Sequence, residues 1–222
     1  MKVLGVLMLD TRFPRPPGDV GHPDSYAYPV RFQTVTDASP QRVVHARAEG
    51  LVDAFCTAAQ ALEARGCSAL LTSCGFMALH QRRLAQAVSV PVAASALLWL
   101  PLLRAWYGGR PIGVLTASAH SLSSAHLEAV GAAPDTPVVG VASGGEFERL
   151  ILGDQGQGDM HRVGEEIVAA AHRLKQKVPG MAALVLECTN MRPYRAAIAA
   201  ATGVPIYDLV DMADLLMKQA DS

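Results

Sequence analysis

The chain alternates short, uninterrupted apolar runs with longer segments in which apolar and polar residues recur at helical spacing. Runs rich in Val, Ile and Leu that lack polar alternation are typical of strands buried on both faces of a parallel sheet. Such runs predict strands at residues 3–9, 30–35, 69–72, 90–93, 112–115, 138–141, 182–186 and 204–207. The other patterned segments predict helices at residues 42–65, 77–88, 97–106, 120–129, 159–177, 193–201 and 212–218. This alternation predicts an α/β fold built on mostly parallel sheets.

An internal repeat divides the chain into two similar halves. Residues 69–74 align with residues 183–188 without a gap, at an offset of 114 residues. The same offset aligns a glycine before this strand and a Val-Pro pair after it. Upstream, residues 4–7 resemble residues 112–115 at an offset of 108, and an insertion of six residues between the halves reconciles the two values. A chance resemblance between two strand–helix–strand units is the alternative interpretation, which the ungapped match disfavours.

We therefore predict two similar α/β lobes related by pseudo-two-fold symmetry, with the active site in the cleft between them. The first lobe is expected to comprise residues 1–97 plus 208–222, and the second residues 98–207. Ligands of such folds bind outside the carboxyl ends of the strands, so the residues that follow the strands are the candidates for chemistry.

Two of the four cysteines are matched by the repeat. Cys74 and Cys188 each end a predicted strand and open a helix. The free N–H groups and partial positive charge of a helix N-terminus predict a lowered pKa for both thiols and a place for a substrate carboxylate. Thiols on opposite sides of a cleft suit a 1,1-proton transfer, in which one removes a proton from carbon and the other delivers one. The alternative is that they are ordinary core cysteines, the interpretation we adopt for Cys56 and Cys67.

Further candidates for substrate binding stand at the ends of the predicted strands. Asp10 and Thr11 follow the first strand, where Asp10 either orients the first matched cysteine or caps a turn. Thr116 follows the corresponding strand of the second half, where its hydroxyl either contacts a ligand or caps the helix predicted from residue 120. Arg12 or Arg15 offers a bidentate clamp for a carboxylate, although loop arginines are more often solvated. The remaining candidates flank the two matched cysteines: Ser73, Gly75, Phe76, Thr189 and Asn190.

Composition and charge argue against several classes of function. The 222 residues include 19 basic and 20 acidic ones, and this net charge of −1 does not favour nucleic acid or an anionic membrane as a partner. Pro91 and Pro101 interrupt the uncharged stretch 84–103, which argues against a membrane span. No cysteine lies in a CxxC pair or at metal-ligand spacing to a histidine, so we expect no metal. The short N-terminal apolar run lacks a cleavage site, so we expect a cytoplasmic protein with reduced cysteines.

The segments Thr-Ser-Cys-Gly-Phe around Cys74 and Glu-Cys-Thr-Asn around Cys188 resemble the two cysteine motifs of the aspartate/glutamate racemase superfamily. That superfamily includes glutamate, aspartate and hydantoin racemases, and its relatives include arylmalonate decarboxylase and maleate isomerase. The resemblance extends over essentially the whole chain. It implies a doubled α/β architecture, no pyridoxal phosphate or other cofactor, and two catalytic cysteines that exchange acid and base roles. It also implies that Asp10 lies near the first cysteine.

The motifs also depart from the best-known members of this superfamily. Glutamate and aspartate racemases follow the first cysteine with Asn-Thr, whereas this chain has Gly75 and Phe76. Where Asn190 stands, those enzymes usually have His or Glu. These departures argue against an acidic amino acid as the substrate. Phe76 and Met77 either line a less polar pocket or belong to the core.

The resulting functional hypothesis is a racemase or epimerase that acts on a small carboxylate or amino-acid-like carbon acid and forms a homodimer. The alternatives are a decarboxylase, lyase or cis–trans isomerase of the same superfamily, or a non-catalytic ligand-binding relative. Retention of both cysteines favours the racemase, because the decarboxylase branch works with one.

Overall fold

Two parallel four-stranded sheets form the framework of the molecule, which the computed structural model describes over residues 2–219. The first sheet has the order β2-β1-β3-β4 and consists of β1 (Leu4–Leu9), β2 (Val30–Val35), β3 (Ala69–Thr72) and β4 (Val92–Ala93). The second has the order β6-β5-β7-β8 and consists of β5 (Ile112–Thr116), β6 (Val138–Gly140), β7 (Ala183–Leu186) and β8 (Ile206–Tyr207). The predicted α/β fold with two parallel-sheet lobes is confirmed.

The register of the strands repeats from one sheet to the other. Leu4 pairs with Ala69 in the first sheet, and Ile112 pairs with Ala183 in the second. The offset of 108 relates Leu4 to Ile112, and the offset of 114 relates Ala69 to Ala183. The internal repeat of the sequence is therefore also a repeat of the strand pairing. The central strands β1, β3, β5 and β7 are buried along their whole length, which explains their unbroken apolar sequences.

Seven α-helices and several shorter helical turns surround the sheets in the described part of the chain. The α-helices are α1 (Val52–Ala64), α2 (Gln81–Ala87), α3 (Trp99–Trp106), α4 (Ser124–Ala129), α5 (Met160–Lys177), α6 (Arg195–Thr202) and α7 (Leu209–Gln219). Helix α3 packs against β5 and β7, whereas α7 at the end of the chain returns to pack against β3 and β4. The limits of the two lobes at residues 97/98 and 207/208 stay a prediction. None of the helices within residues 2–219 combines the length and apolarity needed to span a membrane.

The single helix predicted over residues 42–65 is wrong in its first half. A turn of π-helix covers Gln41–His45, and α1 begins several residues later. Between them Arg47, Ala48 and Gly50 have φ angles of 53°, 54° and 72°. A right-handed helix cannot pass through residues in this left-handed region, so the backbone breaks there despite the apolar periodicity.

Candidate active site

A small cavity lies between the two sheets, at the carboxyl ends of their central strands. The segments that follow β1, β3, β5 and β7 all contribute to its lining. Two helical turns, which provide Val44 and Ile151 among others, complete the wall. Most of the lining side chains are apolar, and the polar ones are concentrated beside the two matched cysteines.

Cys74 and Cys188 both line this cavity as free thiols. Each stands immediately before a turn of 3-10 helix, Gly75–His80 in one lobe and Thr189–Tyr194 in the other. The backbone N–H two residues downstream points back to the sulfur in both cases. Cys74 is half-buried, whereas Cys188 is only 8% exposed. The repeat therefore presents two thiols to one cavity in equivalent local backbone settings.

The expectation of lowered thiol pKa values is wrong. Burial is the largest influence on the pKa of Cys74 and, together with the nearby carboxyl of Glu187, raises it to about 12. The pKa of the Cys188 thiol is also raised, by burial first and by the same carboxyl second. The N–H groups of the 3-10 turns act in the opposite direction but are outweighed, because desolvation disfavours a thiolate more than one N–H favours it.

Glu187 is a buried carboxyl in the wall of the cavity, and sequence reasoning did not select it. It precedes Cys188, is 0% exposed, and lines the same cavity as the thiols. Burial raises its pKa to about 7 from an ordinary 4.5, despite hydrogen bonds from Thr116 and from the backbone N–H of Ala117. Its Oε1 atom has no hydrogen-bond partner among the described residues. The only signal in the sequence was an acidic residue at the end of an apolar strand.

Thr116 has a structural partner that the sequence did not indicate. Its hydroxyl donates a 2.6 Å hydrogen bond to Oε2 of Glu187. The cap predicted for Thr116 is wrong, because α4 begins at Ser124 and the side chain of Ser123 caps it. Thr116 does not line the cavity but holds the carboxyl that does.

The residues that flank the two cysteines contact each other across the lobes. The Thr189 hydroxyl donates a 2.8 Å hydrogen bond to the carbonyl oxygen of Ser73. At the equivalent place, a side chain on Gly75 would collide with the carbonyl oxygen and carboxyl of Glu187. All four residues line the cavity together with Phe76. The predicted candidates next to the cysteines thus lie together in the cavity wall. Some of them also form the contacts that hold the two lobes together.

A second charged group reaches the cavity from the loop after β1. Arg15 lines the cavity, forms a 2.8 Å ion pair with buried Asp19, and lies over the ring of Phe13 at 4.5 Å. Asn190 donates a 2.7 Å hydrogen bond to Asp19, and its Oδ1 accepts a 3.6 Å hydrogen bond from the Cys188 thiol. Asp19 therefore connects the first-lobe loop to the second cysteine, a link that no motif indicated.

Three more predicted candidates, Asp10, Thr11 and Arg12, also lie outside the cavity lining, as Thr116 does. Asp10 is exposed, and its carboxylate accepts a 3.4 Å hydrogen bond from the backbone N–H of Asp37. Thr11 accepts a 3.1 Å hydrogen bond from Arg15, so it orients a lining residue without lining the cavity itself. Cys56 and Cys67, which we assigned to the core, also lie elsewhere. Within the described residues, no three His, Cys, Asp or Glu side chains are grouped so as to hold a metal ion.

Comparison with known proteins identifies the family. A dimethylsulfoniopropionate lyase from Durusdinium is 31% identical over 224 residues, which cover 97% of this chain and 74% of that protein. The chain belongs to the dimethylsulfoniopropionate lyase family. Dimethylsulfoniopropionate lyase 3 from Emiliania huxleyi is 29% identical over 93% of the chain, although the match spans only 57% of the length of that relative. A scan against models of protein families finds no match.

Solved structures show that the chain shares the fold of Asp/Glu racemases and arylmalonate decarboxylase, the fold that the cysteine motifs led us to expect. Aspartate racemase from Picrophilus torridus superposes with a TM-score of 0.58 at 15% identity, covering all of this chain and 95% of that one. A mutant of arylmalonate decarboxylase gives a TM-score of 0.59 at 14% identity, covering 92% and 86%. At these identities the likeness shows the shared fold and leaves the reaction open.

Proposed function

We propose that the chain is a carbon–sulfur lyase that acts on dimethylsulfoniopropionate or a closely related β-sulfonio carboxylate. The observation that carries the proposal is the placement of both matched thiols in one largely apolar cavity, in a chain that resembles such lyases over 97% of its length. A thiol is suited to the first step, removal of a proton from the carbon next to the carboxylate. The apolar wall suits the two S-methyl groups.

The reaction balances with a single base. A thiolate takes the α-proton, the electron pair forms the carbon–carbon double bond, and the bond from the β-carbon to sulfur breaks. The sulfonium sulfur keeps that electron pair and leaves as neutral dimethyl sulfide, while acrylate remains. The thiol later returns the proton to solvent. Because the leaving group departs neutral, no acid has to protonate it, and the second thiol is not required by the proton balance.

Cys74 is the better candidate for the base. The positive charge of Arg15 acts to lower the pKa of its thiol, and Arg15 has no such influence among the causes that act on Cys188. The Cys188 thiol donates to Asn190, which stabilises its protonated form, and Asp19 further disfavours its ionisation. In this assignment Cys188 remains protonated and faces the substrate from the second lobe.

Racemisation is the second candidate, and one observation favours it. The two thiols occupy equivalent positions of the repeat and line the same cavity, as a two-base proton transfer needs. A racemase needs one thiol ionised and the other protonated, and it exchanges the roles in the reverse direction. The repeat has Glu187 before Cys188 but Ser73 before Cys74, and this inequality of the two sides suits a one-way elimination better.

One experiment separates the two reactions. The purified protein is incubated in deuterated water with dimethylsulfoniopropionate and, in parallel, with a panel of amino acids, hydantoins and hydroxy acids. We expect release of dimethyl sulfide and acrylate from the sulfonio compound and no α-deuterium in the chiral acids. The Cys56→Ser protein serves as the matched control, because Cys56 lies in α1 away from the cavity. Deuterium exchange with racemisation, in the absence of dimethyl sulfide, would show that the lyase assignment is wrong.

A further inference from the structure

The carboxyl of Glu187 lacks the partners that a buried charge normally has. It is fully buried, one oxygen is held by Thr116, and the other has no hydrogen-bond partner among the described residues. We propose that Glu187 determines specificity by selecting substrates that carry a cationic group beside the reacting carbon. This inference rests on the proposed function, because it takes the leaving group to be an onium cation.

The position of the carboxyl supports a role toward ligand. Glu187 lines the cavity, and its carboxyl occupies the space that a side chain at Gly75 would need. It therefore lies beside the backbone that follows Cys74, while in sequence it stands between the end of β7 and Cys188. Burying a carboxylate without a counter-charge is costly, and a buried polar group without a partner calls for an explanation, of which a bound ion is one. A bound cation supplies the missing charge.

The charges of the cavity wall leave Glu187 unbalanced. Arg15 is the other charged lining residue, and its ion pair with Asp19 neutralises it. Asp19 is itself satisfied by Asn190 and by the backbone N–H of Gly21. An ionised Glu187 therefore gives the cavity one net negative charge. This charge attracts an onium group and repels the second carboxylate of an acidic amino acid or a malonate.

Comparison of the two halves of the repeat shows that only the second half has a carboxyl at this position. Ser73 stands at the equivalent position of the first lobe, one residue before its cysteine. The Ser73 hydroxyl accepts a 2.9 Å hydrogen bond from the backbone N–H of Leu9, as Glu187 accepts one from that of Ala117. A neutral serine thus meets the structural need at this position. The glutamate adds a charge that this local hydrogen bond does not require.

The charge also couples substrate binding to thiol ionisation. After burial, Glu187 is the strongest influence that raises the pKa of both Cys74 and Cys188. An onium group bound near the carboxylate offsets its charge, so the thiolate forms more readily with the substrate in place. A neutral substrate of the same shape gives no such compensation.

The test compares two non-reacting ligands of nearly equal shape, binding each to the full chain by calorimetry. One is 3-(trimethylammonio)propionate, which carries a cationic ammonium group whose carbon–nitrogen bond resists cleavage. The other is 4,4-dimethylpentanoate, in which an uncharged carbon replaces the nitrogen while the carboxylate is unchanged. At pH 8 we expect the wild type to bind the cation at least about tenfold more tightly, since opposite charges at contact in a protein interior attract by more than this amount. Glu187→Gln should bring the ratio of affinities close to one. Glu128→Gln removes the same charge from an exposed position on α4 and should keep the wild-type ratio.

Two further measurements keep the inference testable if Glu187→Gln fails to fold. Glu187→Asp retains the charge and should retain the preference for the cation. In the wild type the affinity ratio should also fall between pH 8 and pH 6, because the carboxyl becomes protonated across its pKa of about 7. Equal affinities in the wild type, or an unchanged ratio in folded Glu187→Gln, would overturn the inference.

A protein that releases dimethyl sulfide yet shows no charge preference refutes this inference alone. A protein that prefers the cation yet releases no dimethyl sulfide refutes only the proposed reaction.

Discussion

The hydroxyl of Thr189 donates a 2.8 Å hydrogen bond to the carbonyl oxygen of Ser73, and so joins the residue after one cysteine to the residue before the other. The repeat places Gly75 and Glu187 in the equivalent relationship, but there the two backbones approach so closely that no side chain fits at position 75. The lobes are thus connected twice next to the thiols, once by a hydrogen bond and once by direct packing. The geometry of the cavity depends on both contacts.

Gly75→Ala should therefore weaken the protein and reduce its activity. The new methyl group would meet the carbonyl oxygen and carboxyl of Glu187, and overpacking of this kind typically costs about 1–3 kcal/mol. Urea denaturation and the rate of dimethyl sulfide release measure the two effects. In a Glu187→Ser background the cost of Gly75→Ala in unfolding free energy should fall by about 1 kcal/mol, because the carboxyl that the methyl group would meet is gone.

Gly156→Ala is the control, since a methyl group there meets only a backbone oxygen at 3.8 Å. Equal costs at positions 75 and 156 would contradict the packing argument.

The two cysteines should respond differently to replacement by serine. Cys74→Ser removes the proposed base, and loss of a positioned base typically lowers the rate by about 10²–10⁴-fold. Cys188→Ser should retain elimination within about tenfold of the wild-type rate, because dimethyl sulfide leaves without a proton. Initial rates of dimethyl sulfide release decide between them, with Cys56→Ser as a reference. Equal and complete loss in both variants would contradict the one-base assignment and show that the elimination needs both thiols.

The charge on Glu187 should be visible in the reactivity of the neighbouring thiol. Glu187→Gln removes the largest charge that raises the pKa of Cys74, so the thiolate fraction at pH 8 should rise. We expect iodoacetamide to alkylate Cys74 several-fold faster in this variant, with the rate followed by mass spectrometry of the Cys74 peptide. The rate at Cys67 should stay constant and serves as the internal reference. A slower reaction at Cys74 would mean that Glu187 activates the thiol as a base.

The same carboxyl should make folding stability depend on pH. Its pKa is raised from 4.5 to about 7, so the folded state binds this proton more tightly than the unfolded state does. The stabilisation is complete below about pH 4.5 and is lost as the pH rises to about 7. From pH 5 to pH 8, the unfolding free energy of Glu187→Gln relative to wild type should increase by on the order of 2 kcal/mol. Urea midpoints at the two pH values test this, and a constant difference would show that Glu187 ionises normally.

The fold and the positions of the two matched cysteines could be predicted because both depend on local sequence patterns. Unbroken apolar strands and the offset of 114 residues sufficed to predict two similar lobes with parallel sheets. Glu187 is held by Thr116, which is 71 residues away in sequence, and Asp19 is held by Asn190, which is 171 residues away. Contacts between such distant residues produce no recognisable pattern in the sequence, so the roles of Glu187 and Asp19 could not be predicted. The direction of the thiol pKa shifts could not be predicted either, since it depends on the burial of both cysteines beside a carboxyl.

The difference between Ser73 and Glu187 at equivalent positions of the repeat also has a stereochemical consequence. The two hydrogens on the α-carbon of an achiral substrate are enantiotopic in solution and react alike. Between Cys74 on one side and Cys188 on the other, with a serine before the first cysteine and a glutamate before the second, they become distinguishable. A substrate labelled with deuterium at one of these two positions would give up the whole label or none of it, and its mirror-image isotopomer would do the reverse.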